Sequence, residues 1–277
     1  MIKILLWAAV ALAGIVTLGM ALALIVRALE PRMLFHPDPA ESPTPAEDGI
    51  PHEDVRFTTG DGETLHGWWI PRPEPGAPTL LFFHGNAGSR AHRLHNLAML
   101  WQAGISVFIF DYRGYGGGTG RPDEPGVIAD GLAAHDWLTA RLPGQPIVLF
   151  GRSLGGAVAA QVALRRPAAG LILESTFTSV PDMARAIFPL PGLPWLLRTR
   201  LDTQAALATL HLPLMIIHGL ADELVPPVMG EALFRASPTA EKRLHTVAGG
   251  THNDTYLRAG AAYIRWIQDF LRQIPQL

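Results

Sequence analysis

A serine set between two glycines, directly after a short apolar run, constrains this chain more than any other feature. The run 147–150 leads into Gly151-Arg152-Ser153-Leu154-Gly155, and a helical stretch, 154–165, follows. A strand-to-helix turn this tight needs glycines on both sides, because side chains there would collide with the strand or the helix. The turn directs the Ser153 hydroxyl outward beside a helix N-terminus, which favours developing negative charge. The alternative is an ordinary helix N-cap serine.

Short apolar runs alternate with helical stretches through most of the chain. The runs 54–59 and 63–70 flank Gly60-Asp61-Gly62 and predict a hairpin. Six more strands are predicted at 79–83, 106–110, 147–150, 170–173, 213–217 and 242–247, with helices near 89–102, 126–141, 154–165, 228–236 and 254–273. This alternation predicts an α/β fold in one domain, 52–277, whose mostly parallel sheet is covered by helices on both faces.

One long connection, residues 175–212, interrupts the alternation. It is rich in proline and in large apolar residues, among them Phe177, Phe188 and Trp195. A connection of this length inside a compact domain usually has a function. We expect it to form a small cap over the active site.

A nucleophilic serine needs a base, and the base needs an acid that orients it. In this architecture the expected chain order is serine, acid, histidine, each after a later strand. Asp222 stands in the loop after the strand predicted at 213–217, and His252 stands in the loop after 242–247. We therefore expect Ser153, Asp222 and His252 to form a catalytic triad.

Alternatives remain open for these side chains. Asp222 is also suited to starting a helix, Glu174 is a rival triad acid at the end of another strand, and His252 also fits an ordinary loop residue.

His92 and His95 lie three residues apart on a predicted helix, a spacing compatible with metal binding. Because the sequence offers no third ligand, a solvated helix face is the better interpretation, and no metal or organic cofactor is expected.

Acyl transfer also requires donors for the oxyanion, and backbone N–H groups serve well because they are rigid and already oriented. One donor is expected to be the N–H of Leu154, which follows the nucleophile. The second is expected to be the N–H of Asn86, in the loop 84–88 after the strand predicted at 79–83. The alternative for this loop is a plain strand-to-helix turn.

A glycine-rich loop, 111–120, follows the strand predicted at 106–110. Its spacing matches neither common phosphate-binding glycine pattern, so we expect a close-packed loop in which Arg113 holds neighbouring carbonyls or Asp111.

The net charge is −2 and no basic block is present, which excludes electrostatic binding of nucleic acid. The chain has no cysteine, which excludes thiol catalysis.

The N-terminus carries a long uncharged apolar segment, 4–26, bracketed by Lys3 and Arg27. Its roughly 34 Å as a helix is enough to cross a bilayer core of about 30 Å. We expect a single-pass anchor over 1–30, in the plasma or inner membrane; a cleaved signal peptide and a buried helix are the alternatives. Charges on both flanks give no clear orientation, and we expect the body to lie outside the cytoplasm.

Residues 31–51, rich in proline and acids, predict a stiff linker that lifts the domain off the membrane.

Five motifs of this chain resemble those of the membrane-anchored α/β-hydrolase-domain proteins. They are His84-Gly85-Asn86, residues 111–116, residues 151–155, His218-Gly219 with Asp222, and residues 250–253. The resemblance runs from about residue 34 to the C-terminus, and the N-terminal anchor matches too. It implies the α/β-hydrolase fold, with an eight-stranded, mostly parallel sheet and with Ser153, Asp222 and His252 as the triad. Some animal members are similar to protein depalmitoylases, and bacterial relatives are commonly labelled lysophospholipases or peptidases.

The expected function is hydrolysis of an ester or thioester through an acyl-enzyme on Ser153. The apolar connection and the anchor favour a lipidic or long-chain acyl substrate over a small ester. A serine peptidase remains an alternative, as does a catalytically silent binding or scaffold protein of the same fold. The sequence does not determine the oligomeric state.

Overall fold

The computed structural model describes residues 2–74, 76–188 and 190–274. Over these residues the strands are β1 (His36–Pro37), β2 (Glu53–Thr58), β3 (Thr64–Ile70), β4 (Thr79–Phe83), β5 (Ala87–Gly88), β6 (Ser106–Phe110), β7 (Ile147–Arg152), β8 (Gly170–Glu174), β9 (Leu214–Gly219) and β10 (Lys242–Val247). The main sheet has eight strands in the spatial order β10-β9-β8-β7-β4-β6-β3-β2. The first six of these are parallel, and β3 and β2 add an antiparallel edge. The predicted mostly parallel eight-stranded sheet is confirmed.

Helices cover both faces of this sheet, as the sequence predicts. In the described part of the chain the α-helices are α1 (Ile2–Leu34), α2 (Leu94–Gln102), α3 (Glu124–Arg141), α4 (Leu154–Ala163), α5 (Val180–Ile187), α6 (Leu193–Leu196), α7 (Thr203–Leu207), α8 (Pro227–Ala236), α9 (Thr255–Ala259) and α10 (Ala261–Gln273). On β4, Leu81 and Phe83 face a core shared with α3, α4 and α8, whereas Leu80 and Phe82 face a second core against α2 and α10. Continuous apolar strands of this kind belong to a sheet buried on both sides.

Two predicted helices differ in detail from the structure. The stretch 89–102 begins as a 3₁₀ turn, Arg90–Arg93, before α2. The stretch 254–273 is divided into α9 and α10 at Gly260, whose φ of 51° lies in the left-handed region. A helix cannot continue through that backbone conformation, and glycine adopts it without the steric cost of a side chain.

The N-terminal helix α1 is 33 residues long and has a mean hydropathy of 2.6 over its most apolar window. None of that window is buried in the protein, so its apolar side chains have no protein core to pack against. Among the described residues it is the one helix long and apolar enough to cross a membrane. Its length and exposure fit membrane anchoring.

The prediction that residues 31–51 form a linker that lifts the domain off the membrane is wrong, because this segment packs on the domain. Helix α1 continues to Leu34, and Phe35 and Ile50 are each only 4% exposed. Between them, β1 pairs in parallel with β5, and the Asp38 carbonyl accepts the N–H of Gly116 at 2.9 Å. The two buried side chains and the backbone hydrogen bonds hold the segment against the body, so the domain is not lifted away from the end of α1.

The long connection after β8 folds into α5, α6 and α7. Its central part docks on the end of α1. The buried Glu30 carboxylate accepts the N–H groups of Arg198 at 2.9 Å and of Thr199 at 2.7 Å, and Arg27 Nε donates to the Leu196 carbonyl at 3.2 Å. We refer to residues 175–212 as the cap.

Candidate active site

Ser153 lies at a sharp turn between β7 and α4. Its φ of 53° and ψ of −121° place a non-glycine residue in a strained region of backbone space. A Cβ on Gly155 would overlap the carbonyls of Phe83 and His84, and one on Gly151 would overlap the backbone of Gly155. The turn therefore requires glycine on both sides of the serine, and it holds the hydroxyl at the carboxyl edge of the sheet.

The structure brings Ser153, His252 and Asp222 together from the ends of three strands. His252 follows β10, and its Nε2 lies 3.1 Å from Ser153 Oγ. Asp222 follows β9, and its Oδ2 lies 2.9 Å from His252 Nδ1. Because an ionised carboxylate only accepts hydrogen bonds, Nδ1 carries the imidazole proton and Nε2 is free to accept one from the serine.

The Asp222 carboxylate is buried and rigidly held. It accepts the backbone N–H groups of Leu224 at 3.0 Å and Val225 at 2.8 Å. Burial alone would raise the pKa of Asp222, but hydrogen bonds from His218 and His252, together with the attraction of His252, hold it well below its usual value. Asp222 is therefore charged at neutral pH and oriented toward the imidazole.

His218 is a supporting residue whose role sequence reasoning missed. Its Nε2 lies 2.9 Å from the Val225 carbonyl and 3.5 Å from Asp222 Oδ2. It therefore holds the loop that carries the acid. Its position at the end of β9, four residues before Asp222, is the signal from which this role can be inferred.

Glu174, the rival acid, has other partners. Its carboxylate accepts the hydroxyls of Thr255 and, at 2.8 Å, of Tyr263. Arg152 Nε lies 3.8 Å from it, and Arg152 Nη2 donates to the His252 carbonyl at 3.1 Å. Glu174 thus braces the backbone of the histidine loop, while among the described residues Asp222 is the carboxylate bonded to the imidazole.

The backbone segments that carry the two expected oxyanion donors both adjoin the nucleophile, since Leu154 follows Ser153 directly. A Cβ on Gly85 would lie 3.6 Å from the Cβ of Ser153, so the loop after β4 passes beside the serine. Within the described residues, neither Asn86 nor Leu154 uses its backbone N–H in a hydrogen bond. The Asn86 carbonyl accepts His36 N–H at 3.0 Å and the Tyr115 hydroxyl at 2.7 Å, which fixes the loop.

The glycine-rich loop after β6 differs from expectation in its ion pairs. Arg113 bonds Asp130 and Asp61, and Asp111 instead pairs with the buried Arg90. Burial would raise the pKa of Asp111, but the nearby His84 and Arg90 lower it overall. The pairing with Arg90 anchors the start of the segment that leads into α2.

The two histidines considered for metal binding lie in different surroundings. His92 Nδ1 accepts the N–H of Ser89 at 3.1 Å, and its Nε2 lies 3.6 Å from Asp38. His95 packs against the ring of Tyr256, with centroids 5.6 Å apart. Over the described ranges, no group of three or more histidine or acidic side chains is arranged to hold a metal ion.

A cavity of about 720 Å³ opens at Ser153 and His252. Its other walls are residues 36–39 of the segment after α1, the loop 85–88, and side chains that include Arg93, Leu224 and Tyr256. No described residue of the cap lines it, so the expectation that the cap covers this site is wrong. Residues 36–39 take that place because the segment packs down on the body.

Arg93 places a positive charge in the wall of this cavity, which also contains Asp38 and Arg152. Its Nη2 donates to the Ala87 carbonyl at 2.5 Å, and no carboxylate among the described residues forms an ion pair with it. Burial lowers the pKa of Arg93 to about 10, which leaves the guanidinium charged at neutral pH.

Comparison with known proteins bears on the family and the fold of this chain. A family model described as serine aminopeptidase, S33, matches residues 75–200 and 193–255. An α/β hydrolase domain-containing protein of Arabidopsis thaliana, WAV2, is 35% identical over 94% of this chain and 92% of its own. An uncharacterized membrane protein of Saccharomyces cerevisiae is 35% identical over 82% of each chain.

A solved structure, the Pyrococcus furiosus esterase Pf2001, superposes with a TM-score of 0.74 at 21% identity, over 87% of this chain and 98% of its own. At that identity the likeness establishes the fold alone. The family itself is established by the family model, which matches most of the chain, and by the two relatives that are 35% identical to it. The chain belongs to the α/β-hydrolase family, and it is a hydrolase whose N-terminal apolar helix fits membrane anchoring.

Proposed function

We propose that this protein is a membrane-anchored serine hydrolase that cleaves a carboxylic ester or thioester of a lipidic or long-chain acyl substrate. The observation that carries the proposal is the position of His252 between two partners, with Nε2 3.1 Å from Ser153 Oγ and Nδ1 2.9 Å from Asp222 Oδ2. This arrangement activates a serine hydroxyl that is otherwise a weak nucleophile.

In the proposed mechanism, Ser153 Oγ attacks the acyl carbonyl while His252 Nε2 takes its proton. The backbone N–H groups of Asn86 and Leu154 stabilise the resulting oxyanion, and Asp222 stabilises the imidazolium. His252 then protonates the departing alcohol or thiol, which leaves an acyl-enzyme on Ser153. Water, deprotonated by His252, attacks this acyl group and releases the carboxylic acid with the free serine.

The preference for a lipidic substrate follows from where the cavity lies. Helix α1 ends at Leu34, and residues 36–39 already form a wall of the cavity. The eight helical residues from Arg27 to Leu34 span only about 10 Å, so the cavity lies near the bilayer surface. The charge of Arg93 favours an acyl ester with an acidic group, such as a phosphate, near the scissile bond.

The family description also favours a second candidate, a serine peptidase, because the matching model is named for an aminopeptidase. The same serine, histidine and oxyanion donors cleave amides and esters alike. A substrate panel of acyl esters and thioesters of graded chain length, with and without a phosphate, beside aminoacyl anilides, separates the two. A higher kcat/KM for long acyl chains supports the lipidic proposal, and a preference for the anilides supports the peptidase.

Labelling with a fluorophosphonate probe tests the nucleophile. We expect wild type to be labelled and Ser153→Ala to remain unlabelled, with Ser175→Ala as a labelled control. Ser175 suits this purpose because it is a nearby buried serine that also has a positive φ, of 47°. Labelling that persists in Ser153→Ala would refute the assignment, and a folded wild type without labelling would indicate a catalytically silent protein.

The membrane arrangement belongs to the same proposal. We place α1 across the bilayer once, with its N-terminus in the cytoplasm and the hydrolase body outside it. Protease digestion of spheroplasts tests this directly. Digestion of the body in intact spheroplasts supports the orientation, and digestion only after lysis reverses it.

A further inference from the structure

The cap carries an exposed apolar ridge, formed by Ile187, Phe188, Leu190 and Trp195. These side chains are 45%, 41%, 62% and 81% exposed. The backbone beneath them is ordered by turns, since Leu193 N–H donates to the Leu190 carbonyl at 3.3 Å and Trp195 N–H to the Gly192 carbonyl at 3.1 Å. The four residues lie on or beside α5 and α6, which pack together, and large apolar side chains exposed on such a structured surface mark an interaction site.

The structure also fixes where this ridge lies relative to α1. Arg27 is the first charged residue after the apolar run 4–26, so it marks the level at which the helix leaves the hydrocarbon. Its Nε donates to the carbonyl of Leu196, the residue next to Trp195. The ridge therefore lies at the depth of the membrane–water interface whenever α1 spans the bilayer.

Glu30 makes this placement rigid. Its side chain is 5% exposed in the structure and accepts two consecutive backbone N–H groups of the cap, those of Arg198 and Thr199. A carboxylate that receives two backbone donors in a buried position forms strong, directional hydrogen bonds. The cap cannot swing away from the end of α1 without leaving this carboxylate without its partners.

We propose that the apolar ridge inserts into the interfacial layer of the bilayer that α1 spans, giving the protein a second point of membrane attachment. The chemistry of the ridge fits that layer. An indole partitions favourably into the head-group layer, and Phe, Ile and Leu reach the start of the acyl region. Arg27, Arg198 and Arg200 are exposed around the ridge, where their guanidinium groups meet lipid phosphates.

Two attachment points restrict rotation of the body, which a single helix does not. A body held by a single helix is free to rotate about the helix axis, whereas a body held also by the ridge keeps one face toward the lipid. The inference rests on the proposed insertion of α1 in the membrane, and it holds whether or not Ser153 is the nucleophile.

Site-directed spin labelling tests the inference on the full-length protein in phospholipid nanodiscs. The chain has no cysteine, so Trp195→Cys and Leu190→Cys each give one label site, and both positions are exposed enough to tolerate the change. Leu164→Cys is the matched control, because Leu164 is a 43% exposed leucine at the far end of α4, away from α1. The measurement compares collision of each label with oxygen, which partitions into lipid, and with a water-soluble nickel chelate.

We expect the labels at 195 and 190 to collide several-fold more with oxygen than with nickel, and the label at 164 to show the reverse. In detergent-free nanodiscs of the purified protein alone, nickel accessibility at both ridge positions equal to that at 164 would overturn the proposal. Adding Glu30→Gln to the Trp195→Cys chain should raise nickel accessibility at 195, because a neutral amide holds the cap less firmly. Circular dichroism confirms that each variant is folded.

Discussion

The side-chain amide of Asn86 donates a hydrogen bond to the carbonyl of Leu34, the last residue of α1, at 3.1 Å. The last carbonyls of a helix have no partner within it, so this bond caps α1. The backbone N–H of the same Asn86 is a proposed oxyanion donor. The end of α1 and the loop 84–88 therefore form one connected unit.

We predict that Asn86→Ala lowers kcat although it keeps the backbone donor. Without the bond to Leu34, the loop loses one of its restraints, and the donor is less well placed. The expected loss is about tenfold, smaller than the roughly 10²–10³-fold loss that follows complete removal of an oxyanion donor. Steady-state hydrolysis of a chromogenic acyl ester measures it, with KM expected to change little.

A double-mutant cycle identifies the route of this effect. Removal of residues 1–34 deletes the acceptor carbonyl, so Asn86→Ala should have little further effect on kcat in the shortened chain. An equal loss with and without α1 would mean that the side chain of Asn86 acts on the site independently of the helix.

Substitution of Asp222 and of Glu174, the two buried acids near the site, should have different effects on kcat and on stability. Asp222→Asn removes the charge opposite the imidazole and favours the wrong tautomer, so we expect kcat to fall by about 10⁴-fold. Glu174→Gln leaves the imidazole contacts intact but disturbs the hydroxyls of Tyr263 and Thr255. It should lower the free energy of unfolding by about 1–3 kcal/mol and kcat by less than about tenfold. Denaturant unfolding and ester hydrolysis of both variants provide the comparison, and the reverse ranking of kcat would make Glu174 the triad acid.

The strands were predictable from sequence because both faces of this sheet are buried. Runs such as 79–83 and 106–110 are continuously apolar, and the structure places strands at the same residues. The carboxyl ends of parallel strands meet at one edge, and this is why Ser153, Asp222 and His252 lie together. Their catalytic role stays a prediction.

The segment 31–51 was not predictable in the same way. Its prolines and acids are typical of a linker, and its buried anchors, Phe35 and Ile50, are too far apart to form a periodic pattern. The expected pairing of Arg113 with Asp111 or neighbouring carbonyls was wrong for a related reason. Arg90 and Asp111 are 21 residues apart, and the sequence does not say which of several carboxylates each arginine meets.

Steric crowding at the nucleophile turn gives a prediction about stability. A Cβ on Gly155 would overlap the carbonyls of Phe83 and His84, and backbone atoms of a central strand cannot easily move aside. We expect Gly155→Ala to destabilise the protein by about 1–3 kcal/mol or more, as overpacking does. Gly60→Ala is the control, since its Cβ would meet no atom within 4 Å. It should stay within about 0.5 kcal/mol of wild type, and equal unfolding midpoints for the two variants would contradict the crowding around Gly155.

The buried pair of Arg90 and Asp111 predicts how stability depends on pH. Asp111 is fully buried, and its pKa is lower in the folded protein than in the unfolded chain. The folded state therefore binds this proton less readily, so the stabilisation is complete above the unfolded pKa of about 3.9 and is lost as pH falls toward the folded value. Asp111→Asn, which leaves Arg90 without its counter-charge, should cost about 3–5 kcal/mol at pH 7.

That cost should shrink as pH falls below about 4, because the unfolded wild-type chain then takes up a proton at Asp111 before the folded state does, which lowers the stability of the wild type but not that of Asp111→Asn. Asp48→Asn, a change at an exposed carboxylate, is the control and should alter stability by less than about 0.5 kcal/mol. Urea unfolding of the three proteins between pH 3 and 8 measures the difference. A cost for Asp111→Asn that is the same at pH 3 and pH 7 would show that the lost stability comes from packing or hydrogen bonding and not from the charge of Asp111.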